Sequence, residues 1–280
     1  MKVTITVLVE NTVRRRGLLA EHGLAYWIEF GDRHILFDTG QGMVLEHNAR
    51  TLSIDLSTVD DLILSHGHYD HSGGISAVHQ LKPNVRVFAH PGCTAAKFRQ
   101  TESDVVLDVG VSGDTNSFLR DIDRHGAWQK TEKVTEVHTG FFVTGPIPRR
   151  NHFEDVGGRF FLDRECCRED AIVDDQAVYF DTQDGIVVLL GCAHAGVINT
   201  IDFIKQQLPD RPILAVLGGM HLLNASDDRL QQTIDRLAEL DVQQYGVGHC
   251  TGQRAIARLR KAFPNRLLDF QVGSELTFVL

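Results

Sequence analysis

Four side chains able to bind a divalent cation fall within six residues, His66, His68, Asp70 and His71, in the run Leu62-Ile63-Leu64-Ser65-His66-Gly67-His68-Tyr69-Asp70-His71-Ser72-Gly73-Gly74. Imidazole nitrogens and a carboxylate are the donors that hold zinc, manganese or iron. A cation held this way lowers the pKa of a bound water from about 15.7 toward 7, so the chemistry in view is metal-assisted hydrolysis. A lone histidine in a polar, glycine-rich turn is usually a solvated side chain. Four donors directly behind an apolar run are a different case, because Leu62 to Leu64 reads as a buried strand that aims the loop leaving its end. His66 and His68 alternate in an extended segment and point the same way. Asp70 and His71 turn back over that space, displaced so that they face a second cation or a bound water. Gly73 and Gly74 permit the tight turn into a following helix.

Further candidates come from a phrase repeated three times in the second half: apolar strand, histidine at its carboxyl end, then a helix. The three instances are Ile186 to Leu190 with Gly191-Cys192-Ala193-His194-Ala195-Gly196, Ile213 to Leu217 with Gly218-Gly219-Met220-His221, and Gln244 to Val247 with Gly248-His249-Cys250. Ligands collect at the carboxyl ends of strands in α/β proteins, so equivalent placement of His194, His221 and His249 predicts one convergent site.

The elements that must position these residues follow from periodicity. Val3 to Val9 reads as a strand, Leu24 to Phe30 as a second and His34 to Phe37 as a third, which ends in Asp38-Thr39-Gly40. Gln41 to Leu52 fits a helix, as does Ile75 to Leu81, and Val85 to Ala89 leads to His90, a lesser candidate for entry to the site. From about residue 92 to 170 the periodicity weakens, and this stretch reads as further strands plus a loop-rich insertion of the kind that shapes substrate pockets. Arg149, Arg150 and His152 in it are candidate substrate contacts, as is the Arg14-Arg15-Arg16 loop for an anionic group, although a solvated surface accounts for each. Leu267 to Phe270 and Leu276 to Leu280 close the chain as strands, giving an α/β fold in one domain over residues 1–280.

The histidine block resembles the signature of the metallo-β-lactamase superfamily, and the order of elements is similar to its αββα sandwich over nearly the whole chain. The resemblance implies that Asp38 orients the histidine loop by accepting hydrogen bonds, that His66, His68, Asp70 and His71 ligate metal, and that His249 is the last histidine ligand. Asp174-Asp175-Gln176, together with the phrases around His194 and His221, is similar to a subgroup labelled dihydropteroate-synthase-related. That subgroup is tied to ribofuranosylaminobenzene phosphate synthases, an association that implies a pterin or phosphoribosyl-like ligand. The sequence departs from the superfamily at two places: Asp174-Asp175-Gln176 stands where many members carry a Gly-His pair, and Cys192 stands where they carry a metal-bridging aspartate. The expected assignment is therefore His66, His68 and His194 for one metal and Asp70, His71 and His249 for the other. Cys192 and Asp175 are expected to support the ligands, Asp175 by holding a histidine. His221 resembles in position the accessory histidine of the tRNA-processing branch, and is expected to donate a proton to the leaving group or to contact substrate, with Asp70 orienting the nucleophile or accepting its proton.

Composition narrows the partners. A formal net charge of −9 argues against a nucleic-acid or anionic-membrane binder, which needs basic surface. No apolar run is long enough to span a bilayer, and the opening residues alternate like a strand and lack a signal-peptide cleavage site. Five cysteines without zinc-knuckle spacing read as those of a reduced, cytoplasmic protein, the adjacent Cys166 and Cys167 as free thiols, while Cys192 and Cys250 each sit beside a histidine of interest. The sequence-level expectation is a cytoplasmic hydrolase of a small molecule, a phosphoester or phosphodiester ahead of a thioester or lactam. It carries one or two divalent ions, zinc first and manganese or iron as alternatives. The competing readings are an iron-dependent redox enzyme on the same ligands and a non-catalytic ligand-binding protein that retains a metal.

Overall fold

In the computed structural model, which describes residues 1–280, the alternation of the first strands places two hydrophobic faces on one sheet. Strands β1 (Lys2–Val9), β2 (Ala25–Phe30) and β3 (Arg33–Phe37) form antiparallel pairs, and helix α1 (Leu45–Thr51) follows. Strand β4 (Asp61–Ile63) carries the histidine block, whose Tyr69–Ser72 form the single turn α2, and α3 (Ile75–Leu81) leads to β5 (Arg86–Ala89). The middle of the chain holds β6 (Phe98–Gln100), β7 (Val106–Asp108), α4 (Gly113–Arg124), β8 (Trp128–Lys130), β9 (Thr135–His138), β10 (Phe141–Val143) and β11 (Arg159–Phe161). The second half is β12 (Val178–Thr182), β13 (Gly185–Leu189), α5 (Val197–Gln207), β14 (Ile213–Gly218), α6 (Asp227–Glu239), β15 (Gln244–Val247), α7 (Gln253–Ala262) and β16 (Glu275–Val279).

Two sheets face each other, with strand orders β16-β1-β2-β3-β4-β5-β8 and β15-β14-β13-β12-β10-β9. Alternation sorts their side chains into three layers. Ile5, Tyr26, Ile28 and Phe37 of one sheet meet Phe141, Phe180, Val187 and Leu217 of the other in the central core. On the outer face of the first sheet, Leu36, Leu62 and Val87 pack under α1, α3 and α4 residues such as Leu45, Val78 and Phe118. Val188, Val216 and Tyr245 on the outer face of the second sheet pack under Ile201, Leu230 and Leu259 of α5, α6 and α7. The result is an αββα sandwich. Phe141 locks its centre, edge-on to Phe30 with ring centroids 5.0 Å apart and stacked on Phe180 at 5.8 Å.

Each sheet passes from antiparallel to parallel pairing, at β3-β4-β5-β8 in one and β13-β14-β15 in the other. The loops that carry Asp38, the histidine block, His194, His221 and His249 all leave the carboxyl ends of these parallel strands. Two expectations need correction. The helix expected over Gln41 to Leu52 spans only Leu45–Thr51, because the amides of Gln41 and Met43 are held by the Glu21 carboxylate instead of by a helical turn. Leu267 to Phe270 forms no strand; a single bridge to Tyr245 is its only pairing, and the segment lines a cavity. Between residues 92 and 170 three strands, β8, β9 and β10, join the main sheets, and the other three form a separate small sheet, β11-β6-β7. No helix is long and apolar enough to cross a membrane.

Candidate metal centre

Asp38 is the anchor. Its fully buried carboxylate accepts from the Ser65 amide and hydroxyl, both at 2.7 Å, and from His71 Nδ1 at 2.7 Å. The proton of His71 Nδ1 is thereby committed, and Nε2 faces inward. His249 is fixed in the same sense, since Nδ1 donates to Asn11 Oδ1 at 2.9 Å. Its Nε2 lies 3.2 Å from His71 Nε2 and 3.3 Å from Asp70 Oδ2. His194 Nδ1 donates to the Val156 carbonyl at 2.8 Å, leaving a buried Nε2 with no partner. His66 Nε2 and His68 Nδ1 lie 2.9 Å apart, and His68 Nε2 is likewise buried and unpartnered.

This pattern tests whether a cation fits. Imidazole lone pairs that face one another across 3.2 Å, beside a carboxylate oxygen, repel unless something positive lies between them. In the metal-free protein a proton serves. Burial disfavours the His71 imidazolium, but the carboxylates of Asp38 and Asp70 outweigh it and push its pKa up to about 9. Elsewhere burial prevails: it holds His66 and His194 well below the usual histidine range and takes His68 down to about 3. Neutral imidazoles with free lone pairs are what a metal requires, so the donor set fits one or two divalent ions.

All six expected ligands are brought together in the two expected groups: the rings of His66, His68 and His194 have centroids 4.5 to 4.9 Å apart, and Asp70, His71 and His249 lie within 3.8 Å of one another. Cys192 Sγ lies within 4.8 Å of donor atoms of both His66 with His194 and His71 with His249, and its distance to His71 Nε2 is 3.1 Å. Cys192, expected to support the ligands, thus also lies within reach as a candidate donor to both sets. The turn after β13 decides this: Ala193 takes φ +56°, and the reversal presents Cys192 and His194 to the same space. Asp175 is corrected. Its Oδ2 accepts from the Ala195 amide at 2.7 Å and holds backbone rather than a histidine ring, while burial raises its pKa to about 7.

His221 reaches the same centre, its ring centroid 4.1 Å from that of His194. Its position needs φ +47°, and His249 and Asp38 are also left-handed at +48° and +58°. Such conformations carry a backbone cost and gather at functional sites. Gly157 lies flat against the His221 ring, and a Cβ on it would fall 1.7 Å from Cδ2. His90, by contrast, caps a short turn by accepting from the Gly92 amide and joins no donor group. Arg149 donates to the carbonyls of His194 and Ala171, both at 2.6 Å, and neither it, Arg150 nor His152 lines the cavity over the centre.

Several residues that build the site are absent from the sequence-level reading. Glu10 accepts from the His249 amide at 2.6 Å, and His22 Nε2 lies 3.2 Å from Asp70 Oδ2. Lys97 is 1% exposed and donates to Asp174 at 2.7 Å and Asp170 at 3.0 Å, while the other oxygen of Asp174 takes the Gly67 amide at 2.7 Å. Gln176 completes the segment by binding the carbonyls of Leu64 and Ser65. Asp174, Asp175 and Gln176 thus tie the histidine block to the His194 turn. Lys97→Met, which leaves Asp174 and Asp170 buried beside an apolar chain, is expected to weaken metal binding about 10- to 100-fold, measured by competition with a chromogenic chelator. Unchanged affinity would show that the lysine does not support the block.

The centre floors a cavity of about 560 Å³ whose walls include Phe160, Val109, Leu223, Ile256 and Leu268. The sequence profile of the metallo-beta-lactamase superfamily matches residues 19–148, from β2 through the histidine block to β10. The whole chain superposes on Tm1679, a metal-dependent hydrolase of the β-lactamase superfamily, with TM-score 0.81 and 29% identity over 98% of each chain. The chain belongs to the metallo-β-lactamase superfamily. Within it, the chain is 28% identical to the 7,8-dihydropterin-6-methyl-4-(beta-D-ribofuranosyl)-aminobenzene-5'-phosphate synthase of Methanocaldococcus jannaschii, over 92% of this chain and 90% of the relative. A diphosphatase of the PhnP family shares the metallo-β-lactamase fold at TM-score 0.51 and 14% identity, covering 99% of this chain and 98% of that one.

Proposed function

We propose that the protein is a metal-dependent hydrolase of a small phosphorylated organic molecule. The observation that carries this reading is the convergence of tautomer-fixed imidazole lone pairs, Cys192 and Asp70 on the floor of a half-apolar cavity. Divalent ions held by His66, His68, Asp70, His71, Cys192, His194 and His249 would supply an acidified water and polarise the phosphoryl group. Asp70 Oδ2 is placed to take a proton and hand it to His22, which is half-exposed at the cavity wall and opens to solvent. Burial opposes ionisation of the Asp70 carboxyl, but the His71, His22 and His249 imidazoles outweigh it and hold the pKa well below the usual range, so the group is a carboxylate. His221, braced by Gly157, is placed to protonate the leaving oxygen. Phe160 and Val109 keep bulk water from the reacting bond.

A second reading is favoured by the name of the Methanocaldococcus relative, a synthase named for a 5'-phosphate compound. In that case an organic acceptor takes the place of water. The deciding experiment begins with protein purified without added metal or a histidine tag. Plasma mass spectrometry is expected to give one or two equivalents of zinc, manganese or iron, and a panel of phosphomonoesters and phosphodiesters to show turnover that a chelator abolishes and the metal restores. Metal content with no turnover until a second organic nucleophile is added would favour the synthase reading. No metal and no turnover would sink both.

A further inference from the structure

A second cavity opens beside the metal centre, shares Arg99, Gly157 and Asn224 with it, and has no apolar residue in its wall. Three arginines line it, Arg99, Arg159 and Arg229, against two acids, Glu102 and Asp155, in a chain of net charge −9. Arg99 has no acidic partner, and the exposed Arg159 meets only Asp104, at 3.4 Å. Arg229 is the built part. Its side chain is 5% exposed, Asp155 takes Nη1, and Nε and Nη2 have no hydrogen-bond partner. Those two nitrogens form one edge of the guanidinium, the pair of parallel N–H donors that matches two oxygens of a phosphate or carboxylate. A buried guanidinium with that edge unpaired is costly; both nitrogens are closed to solvent here, so an oxyanion in the adjoining cavity pairs with them, and removes the cost, once the surrounding side chains shift.

The neighbouring chain couples this cavity to the chemistry. Asp155 binds Arg229, the Val156 carbonyl holds His194 Nδ1, and Gly157 packs on His221. We propose that Arg229, with Arg99 and Arg159, forms an oxyanion subsite that takes a phosphate group of the substrate remote from the reacting bond. The substrate would then carry two anionic ends separated by a body that lies along Phe160 and Val109. The assignment of the anion to a substrate rests on the hydrolase reading; the existence of the subsite does not.

Inorganic phosphate titrated calorimetrically into metal-loaded protein tests it. Arg229→Met is expected to weaken binding about 10- to 100-fold, as loss of a bidentate charged pair does, and the double variant Arg99→Ala with Arg159→Ala at least about tenfold. Asp70→Ala, at the metal centre, should leave this affinity in place. Both arginines of the double variant are exposed, so it decides the matter if Arg229→Met fails to fold. Phosphate that binds the arginine variants like wild type and is lost in Asp70→Ala lies at the metal and overturns the subsite while leaving the hydrolase reading intact. Absence of phosphate binding in the wild type overturns it equally. Arginine-dependent binding in a protein that hydrolyses nothing keeps the subsite and removes the hydrolase reading.

Discussion

Asp70→Ala is expected to reduce turnover by about 10²- to 10⁴-fold, the range of a lost proton acceptor, without disturbing the cooperative unfolding of the chain. The carboxylate meets three imidazoles, His22 at 3.2 Å, His249 at 3.3 Å and His71 at 3.8 Å, which join it both to the donor groups and to the half-exposed His22 at the cavity wall. Metal analysis of the same variant separates its two roles. Full metal content with lost kcat assigns Asp70 to proton transfer, and loss of one equivalent assigns it to binding. Full activity would refute both. Because α2 is a single turn braced by Asp38, Thr39 and Ser72 contacts, the substitution leaves the sandwich unchanged.

The second large effect is on stability, and it appears when metal is stripped. His66, His68 and His194 are held neutral by burial, with folded pKa values below the unfolded value of 6.5, so the unfolded chain takes up protons first as pH falls. Their contribution is present above pH 6.5 and is lost on the way down. Asp175 works the other way, because its pKa is raised to about 7 and the folded state gains its proton in the same window. Three lowered histidines outweigh the one raised carboxyl, so the stripped protein loses stability as pH falls below 6.5, by about 1.4 kcal/mol per pH unit for each net proton taken up by the unfolded chain. A whole domain is stable by only about 5–15 kcal/mol, so chelated protein should unfold within a few pH units. His71, raised to about 9, is protonated in both states there and loses its contribution only as pH rises from 6.5 toward 9. Loaded protein should resist to lower pH, since cations compete with the protons. Urea titrations at three pH values, with and without chelator, measure the slope; equal stability of stripped protein at pH 7 and 5.5 would show that the three rings are solvated.

How much of this was legible in the chain depends on how local each interaction is. The histidine block and the three strand-end histidines declare themselves because donor type, spacing and an apolar strand lie within a dozen residues. Their convergence follows from the parallel strands that deliver them. Cys192 is different: in Gly-Cys-Ala-His the spacing leaves open which side chain turns inward, and only the left-handed Ala193 settles that both do. Glu10 lies 239 residues from the His249 amide it holds, and Lys97 lies 77 residues from Asp174. Neither stands in a pattern that marks it, as Lys97 sits in the ordinary polar stretch Lys97-Phe98-Arg99-Gln100. The Arg229 edge is unreadable for the same reason, being a helix residue whose burial depends on the 155–157 loop. The strand expected at Leu267 to Phe270 failed on tertiary grounds: Leu267 and Leu268 are apolar because they wall a cavity, not because they pair.

Four residues at the centre, Asp38, Ala193, His221 and His249, hold left-handed backbone that glycine would adopt without penalty. Selection for heat tolerance alone would drift toward relaxing these bends, and each relaxed bend would swing a donor out of aim. The bends that aim the donors thus also cost the fold stability, and ordinary core improvement is the route by which a more robust version would leave the centre intact.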